Sequence, residues 1–141
     1  MAVTETRFRV RYAETDQMGI VYYSNYLVWM ETGRVEWCRE HGCSYREMEG
    51  EDGILLAVAQ CECRYLAPAR FDDEIVVKTW VERAHSRLIT FAYEIRLDGM
   101  GKKLATGMTR HIIVDREFRP TRLPEKYLPR FGLKPRADSL L

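Results

Sequence analysis

The sequence predicts an α+β domain in which a curved, five-stranded antiparallel sheet wraps one long helix. Three observations carry that expectation. Only one segment has the three-to-four-residue apolar spacing of a long helix; one alternating segment precedes it and four strand-like segments follow; and those four come in close succession, as hairpin-connected strands do.

From residue 5 to residue 12, Phe8, Val10 and Tyr12 face one way and Arg7, Arg9 and Arg11 the other, the pattern of a half-buried strand. Gly19 closes the loop that follows, since glycine reaches backbone angles closed to other residues. At Tyr26 the period changes. Tyr26, Leu27, Met30, Trp37 and Cys38 fall three, four and seven apart, Gly33 takes the matching small position, and charged residues fill much of the remainder. This predicts an amphipathic helix of about 17–18 residues, capped by Ser24 or Asn25 and stopped at Gly42. Trp29 lies off the main stripe, so cover on a second side of the helix is expected. A polar loop over residues 47–53 leads into strands at 54–65, 74–83, 87–98 and 102–115. On the second of these Ile75, Val77, Thr79 and Val81 share a face; on the third Ile89, Phe91, Tyr93, Ile95 and Leu97 do. The turn Asp98-Gly99-Met100-Gly101 suits an antiparallel hairpin. From Pro120 onward the prolines predict irregular chain, giving one domain over residues 1–128 and an irregular tail over 129–141. A sheet of this kind leaves long edges that favour a homodimer or homotetramer.

Composition narrows the function. The 141 residues are 46% hydrophobic and carry 22 basic against 21 acidic side chains, a net charge of +1. That balance provides no overall field for nucleic acid or anionic membrane. No apolar stretch approaches the roughly 18–20 residues of a membrane span, and residues 1–11 contain no secretory apolar core, so a cytoplasmic location is expected. Cys38, Cys43, Cys61 and Cys63 have neither the spacing nor the nearby histidines of a structural zinc site, and reduced thiols are the expectation. No metal and no organic cofactor are called for. His41, His85 and His111 lie far apart, and neither a P-loop nor a dinucleotide-binding glycine pattern occurs: Gly99 and Gly101 are followed by Leu104 where the third glycine would stand. Gly42-Cys43-Ser44-Tyr45-Arg46 is half a nucleophile elbow and follows a helix instead of a strand.

What remains is Glu14-Thr15-Asp16-Gln17-Met18-Gly19-Ile20-Val21-Tyr22-Tyr23-Ser24-Asn25-Tyr26. Its content is a carboxylate loop, a glycine, a short apolar stretch and the start of a helix. Unpaired N–H groups opening a helix can polarise a carbonyl or hold an oxyanion. A carboxylate aimed at the same point could attack the carbonyl carbon or activate water. Asp16 is the first candidate and Glu14 the second. Taken singly, Asp16 also fits a turn cap or a salt bridge to a strand arginine, and Tyr22, Tyr23 and Tyr26 fit core or interface aromatics.

The segment 9–26, continuing through Trp29, Glu31 and Arg34, resembles the 4-hydroxybenzoyl-CoA thioesterase-like group of hotdog-fold acyl-CoA thioesterases, which includes the small Tol-Pal-associated enzymes. Two further pieces are similar to that group: 64–74, with its Y-x-A-P-A-x-x-D-D corner, and Asp115 with 119–124. The resemblance implies a hotdog fold, paired-sheet dimers and often tetramers, and sites shared between subunits. It implies hydrolysis of an acyl-CoA substrate to a carboxylic acid and free CoA, with Asp16 as nucleophile or general base and a backbone N–H near Tyr23 polarising the thioester. Gly19, Val21, Tyr22 and Tyr26 are the expected substrate-binding neighbours. Many members of the group have histidine where this chain has Tyr23, and a phenol with a pKa near 10 cannot serve as a near-neutral acid or base, so only the Tyr23 backbone can act. Arg83, His85 and Arg87 cluster at a strand junction and suit the phosphates of CoA; a solvated hairpin bend accounts for them as well. A hotdog dehydratase or hydratase and a non-catalytic acyl-CoA-binding module are the competing functions.

Overall fold

The computed structural model describes residues 2–99 and 101–134. Met100 of the expected hairpin turn and residues 135–141 of the expected tail lie outside the described residues. Strands β1 (Thr4–Arg9), β2 (Leu55–Tyr65), β3 (Glu74–His85), β4 (Leu88–Leu97) and β5 (Lys103–Val114) form one antiparallel sheet in the order β1-β3-β4-β5-β2. Helix α1 (Asn25–Glu40) lies on one face of it, against β1, β3 and β4. Five antiparallel strands wrapped on a single long helix is the architecture the apolar periods predict.

The contact between helix and sheet is close because Gly33 has no side chain. A Cβ there would sit 2.9 Å from Val77 Cγ1 and crowd Thr79 Oγ1 as well. Trp37, Phe91 and Phe131 pack beside this contact with Tyr93, Ile75 and Ile95, all essentially removed from water. The predicted faces are the buried ones: Ile75, Val77, Thr79 and Val81 on β3 and Ile89, Phe91, Tyr93 and Ile95 on β4. Trp29, off the main stripe, is nonetheless buried, its indole tilted against Phe8 of β1.

Four local expectations need correction. Tyr12 does not continue the inner face of β1; the strand ends at Arg9, residues Tyr12–Glu14 turn into a short 3-10 helix, and Tyr12 is exposed against Phe71. Ser24 occupies the N-cap position of α1 but gives no side-chain cap, whereas Asn25 Nδ2 donates to the Glu14 carbonyl (2.8 Å). Within the expected polar loop, α2 (Tyr45–Gly50) forms because Ser44 caps it, accepting from the Glu47 N–H, and Met48 gives it one buried anchor. Finally, Glu125–Phe131 winds into a 3-10 helix despite its prolines, since Tyr127, Leu128 and Phe131 all find core partners. Burying a large aromatic on this scale outweighs the missing proline donor.

Candidate active site

The chain between β1 and α1 is held as a small irregular hairpin. Thr15 and Val21 form an isolated bridge, the Asp16 N–H donates to the Ile20 carbonyl (2.9 Å), and the Gly19 N–H donates to the Asp16 carbonyl (3.0 Å). Gly19 turns the tip at φ +78°, the left-handed region that only glycine enters freely. The two carboxylates of this segment have separate fates. Glu14 is buried, accepting from Trp29 Nε1 (2.8 Å) and from the Arg11 N–H (2.8 Å), with Arg11 Nε at 3.7 Å; its carbonyl also receives the Tyr22 N–H (2.9 Å). Every part of Glu14 is engaged in holding the turn to the helix. Asp16 is half-exposed; its Oδ1 accepts the Met18 N–H (2.8 Å), and Oδ2 has no partner among the described residues.

Asp16 opens onto a cleft of about 420 Å³ lined by Met18, Ile20, Val21, Tyr22, Tyr23, Tyr26 and the corner Tyr65-Leu66-Ala67-Pro68. Met18, Tyr22, Tyr23, Tyr65 and Leu66 are all exposed, a concentration of large apolar side chains on one part of the surface. Such patches mark places that bind something. The floor is Tyr26, buried, with its ring edge-on to Tyr65 (centroids 5.0 Å apart, 88°) and its hydroxyl accepting the Ala69 N–H (3.2 Å). Burial pushes the Tyr26 phenol above its ordinary pKa, and burial does the same to Tyr65. The Tyr22 phenol is raised by its hydrogen bond to the Tyr23 hydroxyl. These phenols therefore stay protonated at neutral pH.

At the mouth of the helix the backbone donors are unevenly used. The Val21 N–H goes to Ala69 (2.8 Å), Tyr22 to Glu14, Asn25 to Tyr22 (2.9 Å) and Tyr26 to Tyr23 (3.4 Å). The N–H groups of Tyr23 and Ser24 meet no acceptor among the described residues. A half-exposed carboxylate and Tyr23, with its unpaired amide just before a 16-residue helix, thus line the same apolar cleft.

Of the sequence-predicted residues, Asp16, Val21, Tyr22, Tyr23 and Tyr26 line this cleft, and Gly19 forms the turn between two of its walls. Arg83, His85 and Arg87 do not share it within one chain. The register runs from Tyr65 through Ala105 and Ile95 to Val77. Arg83 lies six residues beyond Val77 along β3, and at roughly 3.3 Å per residue that is about 20 Å away. His85 ends β3, and Arg87 stands in the turn after it. Met18, Ile20 and the 65–68 corner were not expected as lining; Met18 and Ile20 lie inside the 14–26 segment, and the corner's signal was the Tyr-Leu-Ala-Pro-Ala run, which reads as a strand-to-strand corner until the fold brings it against Tyr23. Among the described residues no three His, Cys, Asp or Glu side chains are grouped to hold a metal ion, and no helix is long and apolar enough to cross a membrane.

This fold and site define a hotdog thioesterase-like protein. The profile of the Thioesterase-like superfamily matches residues 10–131, and the chain belongs to that superfamily. A protein of Bacillus subtilis (strain 168), provisionally named an acyl-CoA thioesterase, is 40% identical over 121 residues, covering 85% of this chain and 86% of its own. Among solved structures, a Thermus thermophilus hypothetical protein superposes with a TM-score of 0.86 at 35% identity, covering 93% of this chain and 96% of that one. The DHNA-CoA thioesterase of Staphylococcus aureus does so with a TM-score of 0.84 at 35% identity, over 92% and 85%.

Proposed function

We propose that this protein hydrolyses an acyl-CoA thioester to a carboxylic acid and free CoA. The observation that carries the reading is that Asp16 and Tyr23, whose N–H meets no acceptor among the described residues, line one apolar cleft. The names of the Bacillus subtilis and Staphylococcus aureus relatives support the same reaction class. In this scheme the thioester carbonyl oxygen points at the helix opening and accepts the Tyr23 N–H. That donor and the helix dipole stabilise the negative charge that develops when the carbonyl carbon becomes tetrahedral. Asp16 supplies the other half, by attacking that carbon or by taking a proton from a water that attacks it. Collapse breaks the C–S bond, and the CoA sulfur leaves as a thiolate that is then protonated; where Asp16 is the attacking group, water hydrolyses the resulting mixed anhydride, freeing the carboxylic acid and restoring the carboxylate. Met18 holds Oδ1 through its N–H, which fixes the direction of Oδ2. The acyl group sits among Tyr22, Tyr26, Tyr65 and Leu66.

The 11-residue β2 is a sheet edge, and its free side suits pairing with a second copy of this chain in a homodimer or homotetramer. Arg83, His85 and Arg87 would then serve CoA phosphates across a subunit boundary, since one chain does not bring them to its own cleft. A dehydratase is disfavoured because no histidine lines the cleft: His41 is stacked on Trp37 (3.9 Å) and His111 is fully buried in the core.

The test is thiol release from a panel of benzoyl-, butyryl- and palmitoyl-CoA by the native protein and by Asp16→Asn. The variant should lose about 10²–10⁴-fold in turnover, the range of a lost acid–base group. Saturable binding without thiol release by the native protein would leave only the binding-module reading.

A further inference from the structure

We infer that Tyr65 is a positioning residue for the hydrolysis proposed above, fixing the helix-opening amides from across the cleft through a hydrogen bond to the Tyr23 carbonyl. The inference rests on that functional reading. Tyr65 is the last residue of β2 and comes from 42 positions further along the chain, yet its hydroxyl donates to the Tyr23 oxygen at 2.7 Å. The same carbonyl begins α1, accepting the Tyr26 N–H at 3.4 Å. That helical bond is long, so the phenol supplies the tighter of the two restraints.

The consequence follows from peptide geometry. All described peptide bonds are trans, and in a trans peptide the C=O and N–H point in opposite directions across one rigid plane. Holding the Tyr23 oxygen therefore holds the Tyr23 Cα in the same plane, one bond from the unpaired Tyr23 N–H, and turns the Ser24 N–H away from Tyr65. It also fixes ψ of Tyr23, and so the place of Tyr23 relative to Asp16. The supporting frame is built from the same corner: the Val21 N–H donates to the Ala69 carbonyl at 2.8 Å, and the Ala69 N–H donates to the Tyr26 hydroxyl at 3.2 Å. Two of these three ties are made by the backbone of Ala69. The third depends on one side-chain hydroxyl and can be removed alone.

Tyr65→Phe deletes that hydroxyl and keeps the ring that packs edge-on against Tyr26. The measurements are steady-state thiol release from the best substrate of the benzoyl-, butyryl- and palmitoyl-CoA panel, and amide hydrogen exchange over residues 22–26. The expected result is a kcat lowered by about tenfold, less than the 10²–10³ of a deleted oxyanion donor, with KM within about twofold and faster exchange confined to the helix opening. Tyr65→Leu, which also loses the ring, should lower kcat further. Native kcat in Tyr65→Phe overturns the inference, as does a rise in KM alone, which would confine the Tyr65 hydroxyl to holding the acyl group. A native protein that hydrolyses no member of the panel sinks the functional reading instead, and unchanged exchange at residues 22–26 in Tyr65→Phe would then overturn the positioning role independently.

Discussion

The buried histidine of β5 gives the structure a calculable acid sensitivity. His111 is fully removed from water; its Nδ1 lies 3.3 Å from the Leu56 carbonyl and its Nε2 lies 2.8 Å from Thr109 Oγ1. Since Leu56 can only accept, Nδ1 carries the proton and Nε2 accepts from Thr109. Thr109 in turn accepts from the Tyr93 hydroxyl (2.5 Å). A second proton on the ring would break this chain inside the core, near the buried Arg34 guanidinium. Burial, then the Arg34 charge, hold the imidazole down at about 4, against an ordinary 6.5. Because the folded value is the lower one, the stabilisation is complete above pH 6.5 and is lost as pH falls toward 4. With those two values, linkage gives a loss of about 1.4 kcal/mol at about pH 5.5 and about 2.5 kcal/mol at about pH 4.5. Denaturant unfolding of the native protein and of His111→Gln between about pH 7.5 and about pH 4.5 reads it directly. Glu94, Asp52 and Asp115, whose carboxylates are held below their ordinary range by hydrogen bonds, first among them those from Arg96, Tyr127 and the Arg119 N–H, contribute equally to both proteins and cancel. The stability gap between the two should narrow by about 2.5 kcal/mol on acidification. Parallel curves would refute the assignment of a neutral, buried His111.

Two further outcomes follow. Gly33→Ala places a methyl against Val77 and Thr79, so unfolding should show a loss of about 1–3 kcal/mol, the usual cost of overpacking, even though alanine is the better helix former. Arg83→Ala with Arg87→Ala should raise KM for CoA esters several-fold while leaving kcat nearly unchanged, and should not affect an N-acetylcysteamine thioester, which has no phosphates to hold; equal effects on both substrates would remove these arginines from CoA recognition.

Much of this architecture is legible in the chain because it is written in periodicity. Tyr26, Met30, Gly33 and Trp37 repeat at helical spacing and do face the sheet, and the alternating residues of β3 and β4 do face the helix. The elements that escape such a reading depend on single contacts. Helix α2 is held by a Ser44 cap and one buried Met48, too short for a period to show. The 3-10 helix at Glu125–Phe131 depends on Tyr127, Leu128 and Phe131 finding the core, which local proline content argues against. At the cleft, the segment 14–26 is contiguous, so its residues could be grouped by inspection. Tyr65 could not, because only the sheet register and the corner after β2 bring it to Tyr23. Trp29, which breaks the helical stripe, is explained by the same distance in sequence: its indole N–H satisfies the buried Glu14 carboxylate.

The most direct test of the account is a crystal structure of Asp16→Asn with an unhydrolysed acyl-CoA bound, using whichever ester the native protein cleaves fastest. The substituted side chain keeps an oxygen for the Met18 N–H, and a change in a half-exposed loop should alter stability by no more than about 0.5 kcal/mol. The account predicts the thioester oxygen about 2.7–3.1 Å from the Tyr23 nitrogen, with the side chain at position 16 about 3–3.5 Å from the carbonyl carbon or bridged to it by one water. A thioester seated away from position 16, or a carbonyl held only by side chains while the Tyr23 N–H faces solvent, would contradict it.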